Sequence, residues 1–298
     1  MAKIKSFSTN DGDMFYIKHN TDNFTIIDCC IDDENKEKII NELEEEGKEK
    51  NIVRLISTHP DDDHIRGLSY LYKKHDIPNF YCVKNDAVKD DETDDFKKYC
   101  ELRDSKKAFY LYKGCTRKWM NIGDLERGCA GINILWPDEK NEDFKKELEN
   151  AKNGSKVNNI CPIIKYSIED SIKVYWFGDL ETEYMDKIKD KVDWVEADVI
   201  FAPHHGRSSG KMPKEILEKI NPKVIIIGEA PFEHIDYYEG YETITQNTAK
   251  DIVIICDGSM ADFYVSNKNY KTTPSTLKKI NNKSYKDYLY IGSLEYNG

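Results

Sequence analysis

Histidines and acidic residues cluster in one short segment of the chain. Residues 59–64 read His-Pro-Asp-Asp-Asp-His, which places two imidazoles and three carboxylates within six positions. Imidazole and carboxylate groups are common ligands of catalytic transition-metal ions, and a short loop can turn alternate side chains toward one pocket. The segment favours a metal site, although by itself it could also be a solvated acidic turn.

Three further segments carry the same residue types after apolar, strand-like runs. They are Gly178-Asp179, the pair His204-His205, and His234, so five of the seven histidines of the chain lie in or beside such loops. An aspartate released from a buried strand by a glycine is well placed to bridge two metal ions. Taken singly, Gly-Asp could be an ordinary turn, and the histidine pair could cap a strand end.

The elements around these loops predict an α/β domain. A charged segment with apolar residues at helical spacing covers residues 34–49, and the strand-like run Ile52 to Ile56 leads directly into the His59 loop. Because loops that follow strands of an α/β sheet converge on one edge, we expect the four segments to form one site. The acidic stretch of residues 86–95, with Lys89 as its one base, is expected to be a solvated loop.

Composition limits the class of protein. The chain has 298 residues, 44 Lys and Arg against 55 Asp and Glu, and a net charge of -11. Its aliphatic runs are far shorter than a membrane span, and the N-terminus lacks the pattern of a secretory signal, so we expect a cytoplasmic protein. The eight cysteines form no C-x-x-C pair, which argues against a four-thiolate zinc site.

Two parts differ in charge. Residues 266–298 hold six lysines and five tyrosines against two acidic residues, so this segment has a positive net charge. The negative net charge of the chain therefore comes entirely from residues 1–265. We therefore predict a main domain over 1–265 and a basic, Tyr-rich extension over 266–298 that packs on it. An extension of this kind could also contact a nucleic-acid strand.

The combined motifs resemble a known family. Residues 58–67, Thr-His-Pro-Asp-Asp-Asp-His-Ile-Arg-Gly, resemble the T-H-x-H-x-D-H-x-x-G signature of the metallo-β-lactamase superfamily, with Asp61 in place of the second histidine. Residues 178–181, 203–206 and 228–234 are similar, in the same order, to motifs in the hydrolase domain of bacterial competence (DNA-uptake) channel proteins. The resemblance covers roughly residues 4–265 and implies a four-layer αββα metallo-β-lactamase-like sandwich.

The resemblance also implies roles for single residues. The implied ligands of one or two divalent ions, Zn²⁺ or Mn²⁺, are His59, Asp61, Asp63, His64, Asp179 and His234. His59 and Asp61 would hold the first ion, and Asp179 would bridge to the second. The implied catalytic residues are Asp63, His204 and His205. Because a histidine of the wider superfamily is missing and Asn159 stands where this branch tends to have asparagine, the first position is rich in oxygen, which suits Mn²⁺.

The expected activity is metal-dependent hydrolysis by a hydroxide formed on a metal-bound water, most plausibly of a phosphodiester or in a nuclease-like reaction. Asn159, Arg66 and Arg207 are candidate substrate contacts, although either arginine could belong to a surface ion pair. The acidic charge favours a small or single-stranded phosphodiester over duplex nucleic acid, and we expect no membrane partner. The alternatives are hydrolysis of a thioester or lactam, and a metal-binding module without turnover.

Overall fold

Two β-sheets lie face to face in this chain, with helices on their outer sides. The structure, a computed structural model, describes residues 1–75, 77–167 and 172–296. The last two residues of the predicted 266–298 extension lie outside this range. The predicted four-layer αββα arrangement is confirmed.

The first sheet has nine strands in the order β15-β14-β13-β1-β2-β3-β4-β5-β6, and the second has six in the order β12-β11-β10-β9-β8-β7. The strands of the first sheet are β1 (Ala2–Ser6), β2 (Phe15–Lys18), β3 (Asn23–Ile27), β4 (Ile52–Ser57), β5 (Asn79–Cys82), β6 (Ala108–Tyr110), β13 (Ile252–Asp257), β14 (Met260–Val265) and β15 (Leu289–Glu295). Those of the second are β7 (Ile132–Trp136), β8 (Ile163–Tyr166), β9 (Val174–Trp176), β10 (Val199–Phe201), β11 (Val224–Ile227) and β12 (Thr243–Thr245).

Eight α-helices accompany the sheets within the described ranges. They are α1 (Lys36–Gly47), α2 (Asp62–Ile65), α3 (Leu68–Lys74), α4 (Asp94–Arg103), α5 (Glu142–Lys152), α6 (Thr182–Ile188), α7 (Lys214–Ile220) and α8 (Gln246–Ala249). Short 3₁₀ helices cover Asn158–Ile160, Pro203–Gly206, Ser208–Gly210 and Phe232–Tyr238. None of the helices in the described ranges has the length and apolar character needed to cross a membrane.

Local sequence explains where the helices form and which face they bury. The side chain of Thr93 accepts a hydrogen bond from Phe96 N and so caps α4 at its N-terminus. Helix α1 buries Ile39, Ile40 and Leu43, which recur at helical spacing, against the outer face of the first sheet. These contacts make α1 the amphipathic helix predicted from the sequence.

Apolar side chains from both sheets fill the space between them. Phe15 of β2 packs edge-on against Trp176 of β9 and Phe201 of β10, with ring centroids 6.2 and 4.8 Å apart. An aromatic pair of this kind contributes about 0.5–1.5 kcal/mol beyond its buried area. These contacts hold β2 of the first sheet against β9 and β10 of the second.

Both sheets contain a run of parallel strands whose carboxyl ends lie near this contact. Strands β3 to β6 are parallel in the first sheet, and β9 to β12 are parallel in the second. Strand β2 is antiparallel to β3, with Phe15 opposite Ile27, so the turn before β2 lies beside the end of β3. Loops after β3, β4, β9 and β10 and the turn before β2 can therefore meet.

Residues 266–296 continue the first sheet. Strand β15 pairs antiparallel with β14 at the edge of that sheet. Nearby, a lysine network that we define as Lys3, Lys5, Glu42, Glu46 and Asp251 joins β1 to α1 and to the start of β13. The Lys5 side chain is fully buried, and its ammonium lies 2.6 Å from Glu42 and 3.3 Å from Asp251. Tyr288 of the C-terminal segment accepts a hydrogen bond from Lys5 and donates one to Asp251.

Candidate metal centre

Four side chains from the two sheets converge where the parallel strands end. One ligand atom from each of Asp13, His64, Asp179 and His205 lies within 4.8 Å of the other three. His64, Asp179 and His205 are buried, and the Asp13 side chain is 12% exposed. We call these four residues the Asp/His cluster. Two of them come from connections between strands of the first sheet and two from loops of the second.

His64 is oriented by a carboxylate behind it. It lies on α2, and its Nδ1 is 2.9 Å from Asp28 Oδ2. Asp28, directly after β3, is fixed in turn by hydrogen bonds from the amide and hydroxyl of Thr58, both 2.7 Å long. A carboxylate on the far nitrogen fixes the tautomer of a metal-binding histidine and increases its basicity. Nε2 of His64 is thereby directed at Asp179.

Asp179 occupies the middle of the site. Its Oδ1 is 3.0 Å from His64 Nε2, and its Oδ2 lies 3.5–3.9 Å from a ring nitrogen of each of His59, His204 and His205. Gly178 before it has a φ of +53°, and a Cβ there would lie 2.6 Å from the sulfur of the neighbouring Cys161. Only glycine fits this turn without displacing its neighbours.

The two residues of the histidine pair both have left-handed backbone conformations. His204 and His205 have φ values of 50° and 54°, which residues other than glycine adopt in only a few per cent of cases. His205 reaches Asp13 at 3.1 Å through Nδ1 and Asp63 at 3.4 Å through Nε2. His204 is more exposed, and its Nδ1 is 2.8 Å from the hydroxyl of Ser209. Backbone strain of this kind costs about 1–3 kcal/mol per residue and concentrates at functional sites.

His59 and Asp61 form a second, looser group beside the cluster. His59 Nε2 lies 4.0 Å from Asp61 Oδ2, and its Nδ1 is 3.1 Å from the Thr58 hydroxyl. The other oxygen of Asp61 is 3.0 Å from the ammonium of Lys89. The two imidazole rings of His59 and His64 are adjacent, with centroids 4.2 Å apart.

Four buried polar atoms of the site lack hydrogen-bond partners. Within the described ranges these atoms are Nε2 of His59, His64 and His205, together with Oδ1 of Asp179. Although His64 Nε2 and Asp179 Oδ1 are close, they are not aligned as a hydrogen bond. Unsatisfied buried polar atoms are rare and call for a partner such as an ion. Nitrogen and carboxylate donors at this spacing fit a divalent transition-metal ion.

Carboxylates dominate the electrostatics. Burial alone would lower the pKa of His64, but Asp179 and Asp28 more than offset it and raise that pKa well above its usual range. In the same way, burial is outweighed by Asp13 and Asp179 at His205, whose pKa rises to about 10. Burial would raise the pKa of Asp179, yet His64 and His205 hold it well below its ordinary value. The site therefore attracts positive charge strongly.

Other residues singled out from the sequence lie around the cluster. His234 lies half-buried in the 3₁₀ helix Phe232–Tyr238 and is not one of the four converging side chains. Arg66 is paired with Asp11 through two hydrogen bonds. The Asn159 amide accepts a hydrogen bond from Glu181 N and donates to the carboxylates of Glu147 and Glu181. The proposed roles of these residues, and that of Arg207, stay predictions.

Sequence reasoning assigned no role to two residues of the site. Asp13 lies in the turn before β2, and Asp28 directly follows β3. Asp28 carried the same signal that singled out Asp179, an acidic residue at the end of a buried strand. Asp13 could have been found only from the strand topology. Because β1, β2 and β3 pair antiparallel in this order, the turn that contains Asp13 lies at the edge where β3 ends.

Part of this site lies in a segment that matches a known family model. Residues 9–125 match the family model of the metallo-beta-lactamase superfamily. The matched segment contains Asp13, Asp28 and the His59–His64 loop, whereas Asp179 and His205 lie beyond it. No curated protein matches the chain. Members of this superfamily are mostly metal-dependent hydrolases, and the mixed α/β architecture with two sheets and outer helices is consistent with that fold. The match and the Asp/His cluster together indicate a metal-dependent hydrolase.

Proposed function

We propose that the protein is a metal-dependent phosphodiesterase that acts on a small or single-stranded substrate. The observation that carries the proposal is the Asp/His cluster, in which buried ring nitrogens and a carboxylate oxygen without hydrogen-bond partners converge. The similarity of residues 178–181 and 203–206 to the hydrolase domain of competence channel proteins supports a phosphodiester as the substrate. This similarity bears on the chemistry of the site and implies no role in DNA uptake.

The donor set favours Zn²⁺ or Mn²⁺. Asp13, His64, Asp179 and His205 would hold one ion, and His59, Asp61 and Asp179 offer donors for another. Two nitrogen donors with two carboxylates suit either metal. The two carboxylates make the site more favourable for Mn²⁺ than an all-histidine site would be. A divalent ion bound there supplies Lewis-acid activation of water and neutralises charge on a phosphoryl group.

The histidine that is most open to solvent in the site would contact the substrate. His204 Nδ1 is 2.8 Å from the Ser209 hydroxyl; when that hydroxyl donates to Nδ1, the neutral ring carries its proton on Nε2, which lies 3.5 Å from Asp179 Oδ2. This N–H can donate to a phosphoryl or leaving-group oxygen. Asp63, whose side chain is 21% exposed, lies close enough to orient the attacking water.

Surface charge limits the size of the substrate. Three lysines of the C-terminal extension are engaged by acidic residues: Lys278 by Glu295, Lys283 by Asp262 and Lys286 by Glu46. Duplex binding needs several free cations aligned with phosphates, so the net charge of -11 and these three pairings disfavour it. Arg207, beside His204, forms no ion pair with any described residue and is our candidate for a single phosphate contact.

The test uses purified protein stripped of metal and reloaded with Mn²⁺ or Zn²⁺. We expect metal-dependent hydrolysis of bis(4-nitrophenyl) phosphate, and its loss in the folded variants Asp179→Ala and Asp63→Ala. An aryl thioester and a chromogenic β-lactam serve as comparison substrates under the same conditions. Turnover of either of these without turnover of the phosphodiester would reject the proposed substrate class. Full activity in either variant would reject the proposed site.

A further inference from the structure

Lys89 inserts a fixed positive charge at the rim of the centre. It lies in the loop between β5 and α4 as the one base of the acidic stretch 86–95. Its Nζ is 3.0 Å from Asp61 Oδ1 and 3.0 Å from Asp62 Oδ1, and its side chain is only 19% exposed. The ammonium also faces the ring of Phe96 at 5.7 Å. The predicted solvated loop thus includes a lysine that is bound to the metal-site loop.

The loop that carries Lys89 is held close to the site by Asp95, in the first turn of the helix α4 that follows the loop. The Asp95 carboxylate accepts hydrogen bonds from the amides of Gly67 and Ser69, both 2.8 Å long. These amides belong to the start of α3, directly after the His59–His64 loop. Because Asp95 ties the two loops together, the position of Lys89 relative to Asp61 is set by the fold.

Asp61 is shared between two positively charged positions. One of its oxygens binds Lys89, and the other faces His59 Nε2 at 4.0 Å, where a second ion would bind. The Asp/His cluster differs, because none of its carboxylates is paired with a lysine or arginine in the described part of the chain. Two cations on one carboxylate repel each other, so the two ion positions cannot be equivalent.

We propose that Lys89 acts as a built-in competitor that keeps the second ion position weak. The centre then holds one ion tightly at the Asp/His cluster, and binds a second at His59 and Asp61 only when metal is abundant or Lys89 leaves Asp61. This inference rests on the proposed metal centre. It adds that Lys89 controls whether the centre holds one ion or two. Lys89 is a positioning residue here, since it acts on an ion through Asp61.

The test measures ion binding directly. Metal-free wild type, Lys89→Met and Lys89→Arg are titrated with Mn²⁺, followed by calorimetry and by the electron paramagnetic resonance of free Mn²⁺. Lys18→Met is the matched control, because Lys18 is also a salt-bridged lysine but lies at the opposite edge of the sheet, where β2 ends. Lys89→Gln replaces the methionine variant if the latter fails to fold.

We expect wild type to bind one ion tightly and a second at least about tenfold more weakly, a difference that a single nearby charge readily produces. Lys89→Met should strengthen the second site by about the same factor, while Lys89→Arg and Lys18→Met should match wild type. Two equal sites in wild type, or an unchanged second site in Lys89→Met, would overturn the inference and leave the proposed centre standing. Absence of any tight ion in wild type would overturn both.

Discussion

Two regions of this protein bury carboxylates between distant parts of the chain, and they satisfy them in different ways. In the lysine network, Glu42 and Asp251 lie against the fully buried ammonium of Lys5. In the metal centre, Asp13 and Asp179 face imidazoles alone. The first region contains its own permanent cations, whereas the second does not.

The difference separates a structural cluster from a functional one. A buried carboxylate costs several kcal/mol unless a cation and hydrogen bonds compensate it. The lysine network meets this cost within the chain, so it is complete in the folded protein. The metal centre leaves ring nitrogens and an oxygen unpartnered, which makes its stability and its chemistry depend on a ligand. The comparison predicts opposite responses to matched mutations.

The largest effect should come from neutralising the central carboxylate. Asp179→Asn keeps the volume of the side chain and removes its charge, so we expect kcat on an aryl phosphodiester to fall about 10²–10³-fold or more. The melting temperature of the metal-free protein should fall less than in the matched lysine-network variant, because Asp179 faces imidazoles and no lysine or arginine loses a partner. The matched change in the lysine network, Asp251→Asn, should lower stability and leave kcat unchanged. The reverse pattern would erase the distinction between the regions.

The next effect should come from removing the buried cation of the lysine network. Lys5→Met leaves Glu42 and Asp251 without that ammonium, and breaking a buried pair in this way costs about 3–5 kcal/mol. Urea denaturation of the metal-free variant and wild type measures this loss. We expect the folded variant to retain its metal affinity. A loss below about 1 kcal/mol, the size found for exposed pairs, would show that the network is not a buried one in solution.

The stabilisation of the protein by metal should depend on the metal centre and not on the lysine network. An ion present at 100 times its Kd stabilises the folded state by about 2.7 kcal/mol. Thermal melts with and without Mn²⁺ should show this gain in wild type and in Asp251→Asn, and a chelator should reverse it. Asp179→Asn should show little gain. An equal gain in both variants would place the ion elsewhere in the molecule.

The smallest effect concerns acid stability of the lysine network. Burial alone would raise the pKa of Glu46, but Lys3 and Lys18 lower it from 4.5 to about 2. The unfolded chain therefore binds a proton first, and the stabilisation from Glu46 is present above pH 4.5 and is lost as the pH falls toward 2. In Glu46→Gln we expect this acid-dependent part to shrink by about 1 kcal/mol after screening. Urea denaturation at several pH values between 3 and 6 checks this change, and identical curves would contradict it.

Much of this arrangement could be predicted from the sequence because it depends on local patterns. Apolar runs followed by Gly-Asp or histidine mark the ends of β4, β9 and β10, and amphipathic spacing marks α1. The alternation of strands and helices predicted an α/β domain, whereas the four layers were implied by the resemblance to the metallo-β-lactamase superfamily. The metal-ligand types in the His59–His64 loop needed no structure to be recognised.

The remaining features depend on geometry that residue types do not encode. Asp13 and His205 are 192 positions apart and meet only because the two sheets pack face to face. The left-handed conformations of His204 and His205 could not be predicted, since neither residue is glycine or asparagine. Motif order singled out His234 as a ligand, whereas the backbone turn at 203–206 brings His205 into the cluster. The role of His234 stays a prediction.

The origin of the cluster from both sheets has a consequence for folding kinetics. Two ligands precede residue 65 and two follow residue 178, so a nascent chain that has completed only strands β1 to β6 has half a binding site. An ion can then bind only after the second sheet has docked, late on the folding pathway. Interactions that are absent from the folding transition state slow unfolding without accelerating folding. The metal would thus act as a kinetic lock on the finished protein and would not template its assembly.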